Sequence, residues 1–350
     1  MIEKRKFGDL PDGRAVTLYS IKNSLGEYVE LLDFGAAIHS VYVKDAEGHL
    51  GDVVLGVNEA CELSGRRTFE GITIGRCANR IAFGRFEIDG KVTQLECNSS
   101  GHFLHGASGN YAHKMFQTET DEKNNTVSFF FHDTGEGGFD CEADVKVSFT
   151  FDDNHRLEIR YEMVADGDTV LCPTNHAYFN LSGDDDVRDH YLRICADQLA
   201  PKGEIGMPTG DSMDVKDTPA DFRELRLIRE AIDSDLDGLY FKKSKAYDDF
   251  YILSKKDYGL AAELISPKSG RRMRVYTDMP SVILYTPINL EPKAGKNGRF
   301  YDGYCSVCLE TQFVPNAVNC PQYLSPVFRK GEKLISKTVY AFDTELFPDK

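Results

Sequence analysis

Apolar and polar positions alternate through most of this chain with the period of a strand, not of a helix. In VSFFFHD (127 to 133), DVKVSFTF (144 to 151) and RLEIRYEMV (156 to 164), β-branched and aromatic residues alternate with polar ones or run together, which predicts three strands. Turn-forming clusters separate them or follow them: DTGEGGFD at 133 to 140, FDDNHR at 151 to 156, ADGD at 165 to 168 and SGDDD at 182 to 186. Strand, turn, strand at this spacing predicts antiparallel sheet. Helical periodicity is scarce, and the best stretch for a short helix is DFRELRLIREAID (221 to 233). No repeat, low-complexity tract or linker divides the chain. The acidic cluster at 184 to 189 and the segment LAPKGEIGMPTGDSMDVKDTP read as long loops, so the expectation is one all-β domain covering 1–350.

Two strand-like stretches carry unusual polar residues. PTNHAYFNLSG (173 to 183) places His176, Tyr178 and Asn180 on alternate positions, with Ala177, Phe179 and Leu181 between them. On a strand the first three share one face and the last three the other. The polar face is either solvated or a ligand site. Solvated strand faces usually carry Lys, Glu and Thr, whereas His, Tyr and Asn are hydrogen-bonding groups suited to a ligand. CSVCLETQFVPNAVN (305 to 319) reads as a strand ending at Pro315, with Cys308, Glu310 and Gln312 on one face and Leu309, Thr311 and Phe313 on the other. Glu310 is then either exposed or salt-bridged, or functional, because a carboxylate among apolar neighbours is costly to bury unpaired. Two further stretches are TIGRCANRIAFGRFEIDG (73 to 90), with Asn79 and Arg80 ahead of a hairpin, and a Gly- and Ser-rich loop holding His102, His105 and His113.

Charge and cysteines narrow the partners. Asp and Glu total 56 against 41 Lys and Arg, a net charge of −15, which argues against nucleic acid or an anionic membrane as partner. No run reaches the length of a membrane span, and MIEKRKFGDLPDGR lacks the apolar core of a signal peptide, so the expected location is cytoplasmic. The nine scattered cysteines suit reduced thiols. The CxxC of Cys305 and Cys308 lacks a second pair, and on a strand its two thiols would face opposite sides, so no metal is expected. No glycine-rich nucleotide motif is present either.

In combination, GRCANRI, FLHGA, TNHAYFNL and LETQFVPNAVN, in this order, closely resemble the aldose 1-epimerase (galactose mutarotase) family, from about residue 30 onward. The resemblance implies a large antiparallel β-sandwich, the galactose mutarotase-like supersandwich, with a few short helices, a sugar substrate in an open cleft on one sheet face, and no cofactor. It implies His176 as general acid and Glu310 as general base. Asn79 and Arg80 match the pair that touches sugar, and His105 the histidine near the reacting end. Asp248, with Asp249 as the alternative register, matches an aspartate that binds hydroxyls. Tyr178 and Phe69 are candidates to cover the apolar sugar face. A monomer or weak dimer is expected.

Several positions depart from the family pattern. Ser281, Ile283 and Pro287 stand where glycine, glutamine and glycine are usual, Asn316 where aspartate is, and Ala107 where a glycine is. Loss of the glutamine suggests a different hydroxyl preference. Competing readings are a hexose-phosphate mutarotase using Arg66, Arg67, Arg76 and Arg85, a glycosidase pairing Glu310 with Asp248, and a non-catalytic sugar-binding module.

Overall fold

The computed structural model describes residues 1–64, 68–203, 206–233, 246–288, 290 and 292–345. Its largest unit is a nine-stranded antiparallel sheet in the order Gln117–Asp121, Thr126–Asp133, Ala143–Phe151, Arg156–Ala165, Lys333–Thr344, Arg271–Thr277, Gly259–Ile265, Tyr191–Ile194 and Arg226–Leu227. The three strands predicted between 127 and 164 are its second, third and fourth members. In Arg156–Ala165 burial alternates along the strand, with Leu157, Ile159, Tyr161 and Met163 buried and Glu158, Arg160 and Glu162 partly exposed. The turn before it forms because the Asp152 carboxylate accepts from the backbone N–H of Asn154 at 2.9 Å and of Arg156 at 3.0 Å, while His155 takes a φ of 58°.

A five-stranded antiparallel sheet packs on this one, in the order Met213–Asp214, Gln198–Ala200, Asp248–Ile252, Ser281–Tyr285 and Cys308–Gln312. Leu199, Tyr251, Val282, Leu284 and Leu309 point inward and share one apolar core with Leu157, Val275 and Tyr340 of the larger sheet. Burial of such side chains stabilises by about 1.5–3 kcal/mol each. A second five-stranded sheet, Ile2–Asp9 through Leu50–Asp52, is a simple meander. This is the expected β-sandwich class.

Some elements differ from the sequence reading. The helix expected over 221 to 233 is confined to Ile228–Ile232, because Arg226–Leu227 is taken up as an edge strand of the large sheet. The strand containing Glu310 ends at Gln312, not at Pro315. Among the described residues no helix is long and apolar enough to cross a membrane.

The face of the smaller sheet turned away from the core is set by the same alternation. Register places Ala200, Phe250, Ile283 and Glu310 in one row across four strands, and Asp248, Tyr285 and Cys308 in the next. Two small clusters flank Glu310 on this face. One is aliphatic and aromatic (Ala200, Phe250, Ile283, Val314, Ala317), and the other contains Tyr178, Tyr301, Cys305 and Cys308.

Candidate active site

The segment from 175 to 181 crosses this face as extended chain, but it is not the continuous strand its alternation predicts. Only Thr174–Asn175 forms a two-residue ladder, with Thr73–Ile74. Its backbone groups then go to three different segments: His176 to Ile72 and Gly71, Tyr178 C=O and Asn180 N–H to Leu55 and Val53, and Phe179 to Val307 in both directions. The alternation still sorts the side chains. Ala177, Phe179 and Leu181 join the core, while His176 and Tyr178 turn the other way and stack at 4.9 Å. Asn180 does not join them. Its amide donates to the carbonyls of Asp184 and Cys305, so it ties loops together outside the site. Gly71 is required where this segment crosses. It accepts from the Asn175 amide and donates to His176 C=O, and at its φ of 72° a Cβ would lie 1.8 Å from the Ile38 carbonyl oxygen.

Asn79 and His105 are brought together by a reciprocal lock. His105 N–H donates to Asn79 C=O at 2.9 Å, and Asn79 N–H donates to His105 Nδ1 at 3.2 Å. Both residues have left-handed backbone, φ 57° and 52°. Such conformations in residues other than glycine cost energy and cluster at functional sites. Because Nδ1 accepts, the neutral ring carries its proton on Nε2. Burial, then the charges of His176 and Arg80, hold His105 well below the usual histidine pKa, so the ring is a neutral N–H donor. Its plane meets His176 edge-on at 5.7 Å, and Phe69 packs against both rings.

His176 and Glu310 form the centre. Nε2 of His176 lies 3.4 Å from Oε1 of Glu310, and their side chains are 6 % and 3 % exposed. They sit side by side and not across a cleft, so a ligand must lie against both at once. His176 Nδ1 and Glu310 Oε2 are buried without a hydrogen-bond partner, as are both amide atoms of Gln312. Buried polar groups are normally paired, and orphans of this kind await a ligand or water. Burial, with the nearby negative charge of Asp248, pushes Glu310 up to about 8, and burial pulls His176 down to about 4. At neutral pH the resting pair therefore holds one proton, on the carboxyl. The opposite arrangement, ionised Glu310 and protonated His176, is one proton transfer away.

Other expected residues fall around this pair. Asp248 shares the face of Glu310, whereas Asp249 faces the other way, towards Tyr247 and Tyr251. Of the two, Asp248 is the one on the face of Glu310. Its Oδ2 accepts from Lys202 at 2.7 Å. Arg80 is half-buried beside His105. Ile283 is fully buried in the aliphatic cluster, so it packs under the site and does not meet solvent there. Asn316 holds the Asn79–Arg80 segment, donating N–H to Arg80 C=O at 2.9 Å and accepting from Ala82 N–H at 3.0 Å.

Residues the sequence did not flag also line the site. Glu70 is buried, pairs with Lys293 at 2.9 Å, and acts electrostatically on His176 and Tyr178. Its signal was available, since it is a carboxylate inside the apolar run FEGITIG, the same feature that singled out Glu310. Lys293, on the two-residue strand Lys293–Ala294, and Lys202, just past the Gln198–Ala200 strand, carry no local pattern. The arginines considered for a phosphate are elsewhere. Arg76 is buried on Asp133 at 2.9 Å and under Phe139, Arg85 is exposed on a hairpin strand, and Arg66 and Arg67 lie outside the described residues. Cys305 precedes the strand and so falls in the same cluster as Cys308, not on the opposite side.

Comparison with known proteins fits this arrangement. Residues 17–341 match the model of the aldose 1-epimerase family. The chain belongs to that family. It is 30 % identical over 340 residues to the aldose 1-epimerase of Escherichia coli, covering 96 % of this chain and 97 % of that one. It is 33 % identical over 346 residues to the galactose mutarotase of Homo sapiens, covering 97 % and 98 %. Among solved structures, the aldose epimerase homologue from C. elegans superposes with a TM-score of 0.86 at 29 % identity, over 93 % of this chain and 98 % of that one. All four stretches that carry the aldose 1-epimerase resemblance fall inside the matched range.

Proposed function

We propose that this chain is an aldose 1-epimerase that interconverts the α- and β-anomers of free aldohexoses, galactose or glucose, by ring opening and closure. The observation that carries the reading is the buried contact of His176 and Glu310 at 3.4 Å, with unpartnered atoms on each. Anomerisation removes the proton of the C1 hydroxyl and protonates the ring oxygen, so that the C1 to O5 bond breaks and an aldehyde forms. Rotation about C1 to C2 presents the other face, and closure reverses both transfers. The two reacting oxygens are bonded to the same carbon. An acid and a base side by side suit that geometry better than two groups separated by a whole ring.

Glu310 is the base for the C1 hydroxyl and His176 the acid for the ring oxygen. Their neutral resting state places the active tautomer within a single proton shift. Each positioned group contributes roughly 10² to 10⁴-fold to rate. His105, as an Nε2–H donor, with Asn79, Arg80 and Asp248, binds the sugar hydroxyls, and Tyr178 covers the apolar face of the ring. The reading takes 1–350 as one catalytic domain, cytoplasmic, and a monomer or weak dimer.

The test is polarimetry of freshly dissolved α-galactose and α-glucose with wild type and Glu310→Gln. Acceleration by wild type that disappears in the variant is expected. Equal acceleration by both proteins would remove Glu310 from the mechanism.

A further inference from the structure

Lys202 reaches the site from just beyond the Gln198–Ala200 strand. The row that runs across the sheet from Glu310 consists of Ile283, Phe250 and Ala200, none of which has a side-chain hydrogen-bonding group. Among the described residues, Asp248 and Lys202 are charged groups on that flank. Lys202 follows the Gln198–Ala200 strand and folds back over the sheet, with its ammonium 4.6 Å from the centre of the Phe250 ring and 2.7 Å from Asp248 Oδ2. The lysine side chain is 11 % exposed and the aspartate 43 %, so the pair stands at the mouth of the site and not beneath it.

Distance fixes which part of a sugar this pair can meet. Asp248 lies two strands across the sheet from Glu310 and two residues along it, about 11–12 Å between Cα atoms at ordinary strand spacings. A pyranose with its C1 hydroxyl at Glu310 extends its far edge, C3 and C4, toward the pair. There an ammonium donates and a carboxylate accepts, which is the complement of two neighbouring hydroxyls.

We propose that Lys202 is a substrate-binding and specificity residue, donating to one of two vicinal hydroxyls on the sugar edge remote from C1 while Asp248 accepts from the other. This rests on the aldose 1-epimerase reading of the site. Lys202 takes no part in proton transfer, and its loss removes binding felt equally by substrate and transition state.

The experiment compares wild type, Lys202→Met and Lys202→Arg with galactose, glucose and their 3-deoxy and 4-deoxy analogues, by polarimetry. Methionine retains most of the stem over Phe250 and loses the donor. The expected result for Lys202→Met is a KM raised about ten- to a hundredfold on the parent sugar, with kcat changed less than about twofold. Wild type should favour a parent sugar over one deoxy analogue, and Lys202→Met should lose that preference. Lys202→Arg should recover part of it. An unchanged KM, or undiminished discrimination against both deoxy sugars in Lys202→Met, would overturn the proposal while leaving the activity established. A wild type inactive on every aldose would instead remove the functional reading and this inference with it.

Discussion

Two strands of the same sandwich, Arg156–Ala165 and Cys308–Gln312, obey the same alternation and meet opposite fates. In the first, the outward residues Glu158, Arg160 and Glu162 reach solvent and one another, as in the 3.4 Å contact of Arg160 with Glu162. In the second, every residue is buried on both faces, and Glu310 and Gln312 keep side-chain atoms with no partner. A buried, unsatisfied polar group costs about 1–3 kcal/mol, and more if charged. The first strand is arranged for stability. The second carries a local deficit that a polyhydroxylated ligand can relieve, so the two should respond oppositely to substitution.

The widest separation is expected in rate. Glu310→Gln should lower mutarotation by roughly 10² to 10⁴-fold. Ile159→Ala, in the core below the first strand, should leave kcat per folded molecule unchanged in the same polarimetric assay.

In stability the order reverses. Ile159→Ala should cost about 2–5 kcal/mol in denaturant unfolding. Glu310→Gln should stabilise, and the sign follows from linkage. The folded pKa of about 8 lies above the ordinary 4.5, so the carboxyl favours the fold below about pH 4.5 and loses that contribution as pH rises to 8. The gain from glutamine should therefore be absent at pH 4, grow through neutrality and level off above pH 8 at a few kcal/mol. A gain independent of pH would break the contrast, since it would place the cost elsewhere than in the charge.

The pH dependence of kcat/KM gives a finer test. The pair holds one proton between apparent values near 4 and 8, takes a second below that window and none above it. A bell with limbs near those values is expected, lost at the acid side because the base is protonated and at the alkaline side because the acid is empty. A flat profile from pH 4 to 8.5 would exclude the pair as the proton-transfer groups.

The smallest effect is expected at Asn316. Asn316→Ala removes the acceptor for Ala82 N–H and leaves alanine at a φ of 61°. A cost of about 1–3 kcal/mol and a several-fold rise in KM are expected, with little change in kcat. Thermal unfolding and initial-rate kinetics measure the two.

The regular sheet was legible because one side of each strand meets water, so burial is written into the sequence as alternation. The site strand was legible only through its exception, a carboxylate in an apolar run. Chain 175 to 181 shows the limit of such reasoning. Its alternation sorted His176 and Tyr178 from Ala177 and Phe179, yet the backbone bonds three separate segments and forms no single ladder, and Asn180 spends its amide on loop carbonyls. Local pattern reports which way a side chain points, not what stands opposite it. For the same reason it could not give the separation of His176 and Glu310, which lie 3.4 Å apart. Lys202 and Lys293 could not be foreseen, since they sit on short, irregular segments whose paths depend on tertiary packing.

The lock between Asn79 and His105 has one more consequence, for how this site can change. The proton position on His105 is dictated by a main-chain N–H, which every residue except proline supplies. Substitution at position 79 can thus alter the side chain presented there without disturbing the tautomer of its neighbour. The backbone at φ 57° admits few alternatives, chiefly glycine and aspartate. The chemistry is insulated from drift at this position, and the repertoire open to drift is short.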